Sequence, residues 1–186
     1  MPTSDWRRYL KFRCTGCGNC CRGTVVMITD DDVTRIVEGT GNDPQDFIRF
    51  YDEDRVDLAK SSPWWIRFGA KKAVMALRWQ RGPRCIFLTE DNLCTVYEHR
   101  PVACREHPFN VTLADSGALE RMSLSRIVDC PHDWDGDISR REVSRVARWN
   151  ERQGDVFTEK VKGWNRQRQN RTRPGFLRFL DLIPTR

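Results

Sequence analysis

Histidine and tyrosine are scarce in this chain, with three of each among 186 residues. No apolar run nears the ~20 residues that a membrane-spanning helix requires. The opening residues, Met1-Pro2-Thr3-Ser4-Asp5-Trp6-Arg7-Arg8, hold no apolar stretch of the kind that defines a secretory signal. A soluble cytoplasmic protein is therefore expected. Catalytic fingerprints are missing too. There is no phosphate-binding G-x-x-x-x-G-K-[ST] loop, no H-E-x-x-H, no G-x-G-x-x-G after a strand and no recognisable Ser-His-Asp set. A hydrolase reading thus has nothing specific to rest on. Hydrophobic residues make up 39% of the chain, little for a large self-sufficient core. Metal cross-links would offset that shortfall, because site formation is coupled to folding.

What the chain does have is cysteine. There are eight, and four fall in the run C-T-G-C-G-N-C-C as Cys14, Cys17, Cys20 and Cys21. The others are Cys85, Cys94, Cys104 and Cys130. An even number could form disulfides. Disulfide scaffolds, however, are typically short secreted chains, and adjacent Cys20 and Cys21 cannot bridge each other without strain. Metal binding through thiolates is the better account of the clustering.

Two metals suit such a donor set. The run C-x2-C-x2-C is the first part of the bacterial ferredoxin ligand pattern, in which three thiolates converge from one tight loop. Zinc favours separated C-x2-C pairs. The triple spacing favours an iron–sulfur cluster of the 4Fe-4S type, with Zn2+ as the alternative. Cys21 departs from the ferredoxin pattern by following Cys20 directly. Neighbouring side chains diverge, so the two need not serve one site. Cys130 precedes Pro131, as the last ferredoxin ligand does. One partition places Cys14, Cys17, Cys20 and Cys130 in a first site and Cys21, Cys85, Cys94 and Cys104 in a second. A closed four-thiolate site can equally be a folding staple with no chemistry.

These blocks carry a resemblance. The cysteine run, Cys85-Ile86-Phe87-Leu88, the stretch Cys94-Thr95-Val96-Tyr97-Glu98-His99-Arg100-Pro101 and then Cys104-Arg105-Glu106-His107-Pro108 resemble the YkgJ-like cysteine-cluster family, named for its CxxCxxCC motif. The likeness runs from about residue 12 to residue 131. It implies chelation of zinc or iron by these cysteines. It leaves the reaction, if there is one, unassigned, with redox or metal-dependent protein modification as the chemistry to consider.

The fold class expected is α+β: a small, irregular, cysteine-rich, metal-bound core with short strands, wrapped by helices. Residues 1–139 form the expected metal-binding domain and residues 140–186 a basic helical extension packed on it. Thr29 should cap a helix whose first turn is Asp30-Asp31-Asp32, with Val33, Ile36 and Val37 inward and Gly39 and Gly41 ending it. Asp43-Pro44 should start another short helix that turns Phe47, Ile48 and Tyr51 inward. Strands are expected over Ala73–Trp79 and Leu119–Val128. A hairpin-like unit is expected from Cys85–Leu88 and Leu93–Tyr97, with a cysteine on each arm. Ile138 to Gly163 reads as a long helix, and Phe176–Leu180 as a docked segment.

Charge is uneven. Residues 140–186 carry a net +8 against −2 for the rest. A solvated helical face is the simplest explanation. The alternative is a protein or nucleic-acid partner held through this segment, with the cysteines then serving a structural zinc domain. Arg166, Arg168, Arg171 and Arg173 are the residues that would carry it. His99, His107 and His132 are expected to be hydrogen-bonded or surface side chains, with metal ligation the lesser alternative. Arg100 and Arg105 flank Cys104 and should balance thiolate charge, or otherwise hold an anionic substrate.

Overall fold

The structure is a computed structural model that describes residues 6–127, 129–167 and 171–185. Among the described residues there are seven short strands and five α-helices. Strand β1 (Arg13–Cys14) lies near the N-terminus, and α1 spans Asp30–Thr40 and α2 Pro44–Phe47. Then come β2 (Ile48–Asp52), β3 (Ile66–Phe68), β4 (Lys71–Leu77), α3 (Val102–Glu106), β5 (Phe109–Leu113), β6 (Leu119–Leu124) and β7 (His132–Asp133). The C-terminal part holds α4 (Arg140–Arg166) and α5 (Arg173–Phe179). All pairing is antiparallel, in sheets β1-β7, β2-β4-β3 and β5-β6. The α+β class and the short strands are as the sequence indicates.

Helix α1 forms for the reasons read from its sequence. The Thr29 hydroxyl accepts the Asp32 amide, and the Asp32 carboxylate accepts the Thr29 amide, closing a capping box. Gly41 ends the helix at φ 71°, a left-handed conformation that glycine adopts without steric cost. The three acids also do more than start the helix. Asp30 pairs with Lys160 and Asp31 accepts from Gln153, which ties this end to α4. Asp32 is buried and accepts the Val102 amide at 2.9 Å and the Arg35 guanidinium, which ties it to α3.

Strand β4 is the centre of the main core. Ala73 to Leu77 are all buried, so both faces are covered, which explains an unbroken apolar run rather than an alternating one. Ile28, Val33, Ile36, Phe157, Val161, Trp164 and Phe176 join Ala73, Met75 and Leu77 in one core cluster. A second cluster joins Tyr9, Leu119, Met122 and Val143 beneath β5 and β6. Helix α4 has 27 residues, about 40 Å of length, and reaches both clusters.

Two sequence expectations are corrected. The helix begun at Asp43-Pro44 is a single turn; Ile48 and Tyr51 belong to β2, paired with Leu77 and Val74. Gly39 lies inside α1 and only Gly41 caps it. The hairpin-like unit over residues 85–97 is present in short form: Leu88 bridges Cys94, with the Thr95 amide donating to the Phe87 carbonyl and the Thr89 amide to the Leu93 carbonyl, both at 2.9 Å. Gln80 Nε2 holds its first arm through the carbonyls of Cys85, Ile86 and Leu88. Val128, at the end of the expected second strand, lies outside the described residues, as does Arg168.

Candidate metal centre

The cysteine run is a loop held between two other stretches of chain. Gly16 and Gly18 adopt φ 68° and 72°, and Gly18 opens a short 3-10 turn over Asn19–Cys21. A Cβ at Gly18 would stand 2.7 Å from the Arg22 guanidinium and 3.2 Å from the Asn92 Cβ, so the tight curl depends on glycine there. On one side, β1 pairs with β7, setting Cys14 opposite His132. Thr15 Oγ1 donates to the Pro131 carbonyl at 2.9 Å, and Asn19 Nδ2 to the Asp129 carbonyl at 3.0 Å. These bonds bracket Cys130. On the other side, the Cys85 amide donates to the Cys21 carbonyl at 2.8 Å, and the Gly23 amide to the Pro83 carbonyl at 2.7 Å. Arg22 bonds Asn92, two residues before Cys94.

All eight cysteines are free thiols. Cys20 Sγ and Cys21 Sγ are 3.9 Å apart. Cys130 interacts electrostatically with Cys14, Cys17 and Cys20, and Cys21 with Cys85 and Cys94. Cys104 interacts with Cys20, Cys21, Cys94 and Asp32. Cys20 and Cys21 thus sit where the two groups meet. Among the described residues, no three His, Cys, Asp or Glu side chains stand in metal-holding geometry.

The donor chemistry nevertheless fits a soft cation. Cys20 is pushed up by its contact with Cys21, by burial and by the Cys21 charge. At Cys21 the Cys20 contact favours the thiolate, but the Cys85 contact, burial and neighbouring thiols outweigh it and bring it to about 12. Burial and then Cys14, Cys17 and Cys20 raise Cys130 to about 11. Burial raises Cys94, and raises Cys104 well above its ordinary value. Burial is the largest cause at Cys94, Cys104 and Cys130; crowding of like charges adds to it, and a bound cation reverses that part.

A pH effect follows. Unfolded thiols ionise near pH 9, whereas these stay protonated in the folded chain to higher pH. Above about pH 9 the unfolded chain releases protons that the folded chain keeps, so folding stability falls as pH rises. Chelator-treated protein should lose on the order of 1–3 kcal/mol between about pH 9 and 12, allowing for solvent screening at half-buried Cys130. Urea midpoints at pH 8 and 11 check this. The pH-dependent loss should shrink in Cys21→Ser, and equal losses in the two proteins would refute it.

The histidines take three different places. His132 is stacked on Phe12 at 5.1 Å, with Nδ1 2.6 Å from the Cys130 carbonyl. His99 lies against Gly39, where a Cβ would meet its ring at 2.2 Å. His107 lines a cavity of about 250 Å³ together with Cys14, Arg100 and Arg105. Its Nε2 is buried without a partner, and burial lowers its pKa.

Arg100 interacts with Cys20 and Cys94 and favours their thiolates, as charge balance requires. Trp149 packs between arginines: Arg35 lies 4.5 Å and Arg105 5.6 Å from its ring centre. Sequence reasoning missed Asp32 as the link between α1 and the turn carrying Cys104. Its only sequence signal, a capping acid, gives no hint of the Val102 amide 70 residues away.

The chain belongs to the CxxCxxCC family, described as a "putative zinc- or iron-chelating domain", whose model matches residues 13–131. That span includes all eight cysteines. No curated protein and no solved structure gives a significant match to the chain.

Proposed function

We propose that the eight cysteines bind metal as two thiolate sets, Cys14, Cys17, Cys20 and Cys130 in one and Cys21, Cys85, Cys94 and Cys104 in the other. The favoured cofactor is a 4Fe-4S cluster, with Zn2+ as the alternative. The observation that carries this reading is the double clamping of the loop. One side is bonded to the chain around Cys130 and the other to the chain around Cys85 and Asn92. A bound cluster supplies one-electron chemistry, tuned by hydrogen bonds and charge around its sulfurs. The chain offers both: the Gly16 amide donates to Cys14 Sγ at 3.4 Å, and Arg100 faces Cys20 and Cys94.

The test is anaerobic purification without a metal-binding tag, followed by assay of iron, zinc and acid-labile sulfide and a visible spectrum. Brown protein with near-equal iron and sulfide supports the cluster. Colourless protein with stoichiometric zinc replaces it with a structural zinc domain. Protein with neither metal, at full cysteine reactivity, defeats both.

A second reading concerns partners. An open groove is lined by Arg49, Arg55, Arg78 and Arg173, with Asp52 paired to Arg173 and Asp54 to Arg55 in the same lining, and with Tyr51 and Trp79 as a tilted ring pair at 5.1 Å. Basic side chains beside aromatic faces suit a single-stranded nucleic acid. Of the described C-terminal arginines named from the sequence, Arg173 alone joins this groove. Binding of a fluorescent single-stranded oligonucleotide should weaken steeply with salt and lose about tenfold in Arg78→Gln. Salt-independent or unchanged binding would exclude this role.

A further inference from the structure

The cavity beside Cys14 has a composition that metal ligation does not explain. Its apolar walls come from Phe12, Phe109, Val111, Ile138, Val143 and Val146. Two guanidiniums, Arg100 and Arg105, also line it. Neither has a carboxylate ion-pair partner among the described residues. Arg100 is held by the Tyr97 carbonyl at 3.1 Å and lies 3.7 Å from the Tyr97 ring centre. Arg105 is held by the carbonyls of Arg100, at 3.2 Å, and Glu98. Each guanidinium carries five N–H donors, so both keep donors to spare while their positions are fixed.

The acids in the same wall do not neutralise them. Glu142 is tied to Arg145 by two bonds, at 2.9 and 2.6 Å. Glu106 is bonded to Asn150. Neither acid is in ion-pair contact with Arg100 or Arg105, although Glu98 and Glu142 attract Arg105 at longer range. His107 adds a buried ring nitrogen with no partner.

We propose that this cavity binds a small organic acid, its carboxylate held by Arg100 and Arg105 and its apolar body against Val111 and the neighbouring wall. A volume of about 250 Å³ equals that of about eight waters. That suits a compact acid and excludes a nucleotide or a peptide. Cys14 lies in the same wall, so the bound acid sits beside the first cysteine of the cluster motif. The site does not depend on which metal the cysteines hold.

Calorimetric titration of the full chain as purified, with benzoate and hexanoate as probes, tests this. At least one acid should bind saturably, and its neutral amide, benzamide or hexanamide, at least about tenfold more weakly. Arg105→Gln should weaken the acid by about tenfold or more, and Arg148→Gln, a surface arginine outside the cavity, should not. Val111→Phe fills the cavity, leaves the arginines in place and should abolish binding; it decides the matter if Arg105→Gln does not fold. The proposal is overturned if neither acid binds, if acid and amide bind alike, or if binding survives Val111→Phe in a folded protein.

Discussion

Replacing Asp32 by alanine is expected to cost about 3–5 kcal/mol of stability. The carboxylate is buried and satisfies the amides of Thr29 and Val102 as well as Arg35. Removing it opens the capping box of α1 and leaves the amides of Thr29 and Val102 without their acceptor. It also leaves the guanidinium of Arg35, whose Nε already lacks a partner, as a largely buried charge with its main counter-ion gone. The double variant Asp32→Ala/Arg35→Met should therefore be more stable than the single one, because the orphaned charge leaves with its partner. Denaturant midpoints of the three proteins decide this. A loss under about 1 kcal/mol in Asp32→Ala would mean that the carboxylate is not holding α1 to α3.

The second large effect concerns the cysteines. Cys130→Ser and Cys94→Ser should each remove the metal of one set and leave the other, and the double variant should hold none. Serine keeps the size but gives no thiolate, so ligation is lost with little change in packing. Because metal binding and folding are coupled, each single variant should also unfold at lower denaturant than the parent, and the two losses should add if the sets are independent. Metal per chain by mass spectrometry under native conditions is the readout. If either single substitution empties the protein entirely, the eight thiols form one interdependent site and the two-set assignment is wrong.

Much of the local structure could be read from short-range chemistry. Thr29 with Asp32, and Gly41 beyond the last apolar position, bound α1 because caps act within one turn. Strand β4 was legible as a continuous apolar run, and the docking of Phe176, Leu177 and Leu180 as an apolar patch in a polar tail. The hairpin-like unit over 85–97 was legible because its turn is local, and Leu88 does bridge Cys94. The contacts of Gln80 with the Cys85, Ile86 and Leu88 carbonyls were not, because polarity patterns carry no sign of a side chain's backbone partners. Strands β2, β3 and β5 went unread because their pairing, like that of Ile48 with Leu77, is long-range and their sequences are short.

The sequence by itself determined the family and the clustering of thiols from which the donor set is proposed, because thiol chemistry and the C-x2-C-x2-C spacing are properties of neighbouring residues. Tertiary structure alone decided three other things. It set Cys130 beside Cys14, Cys17 and Cys20, tied Asp32 to the turn that carries Cys104, and gathered Arg100, Arg105 and His107 into a cavity beside Cys14. These relations join residues far apart in the chain, and burial, charge crowding and unpaired donors exist only once folding has closed those distances.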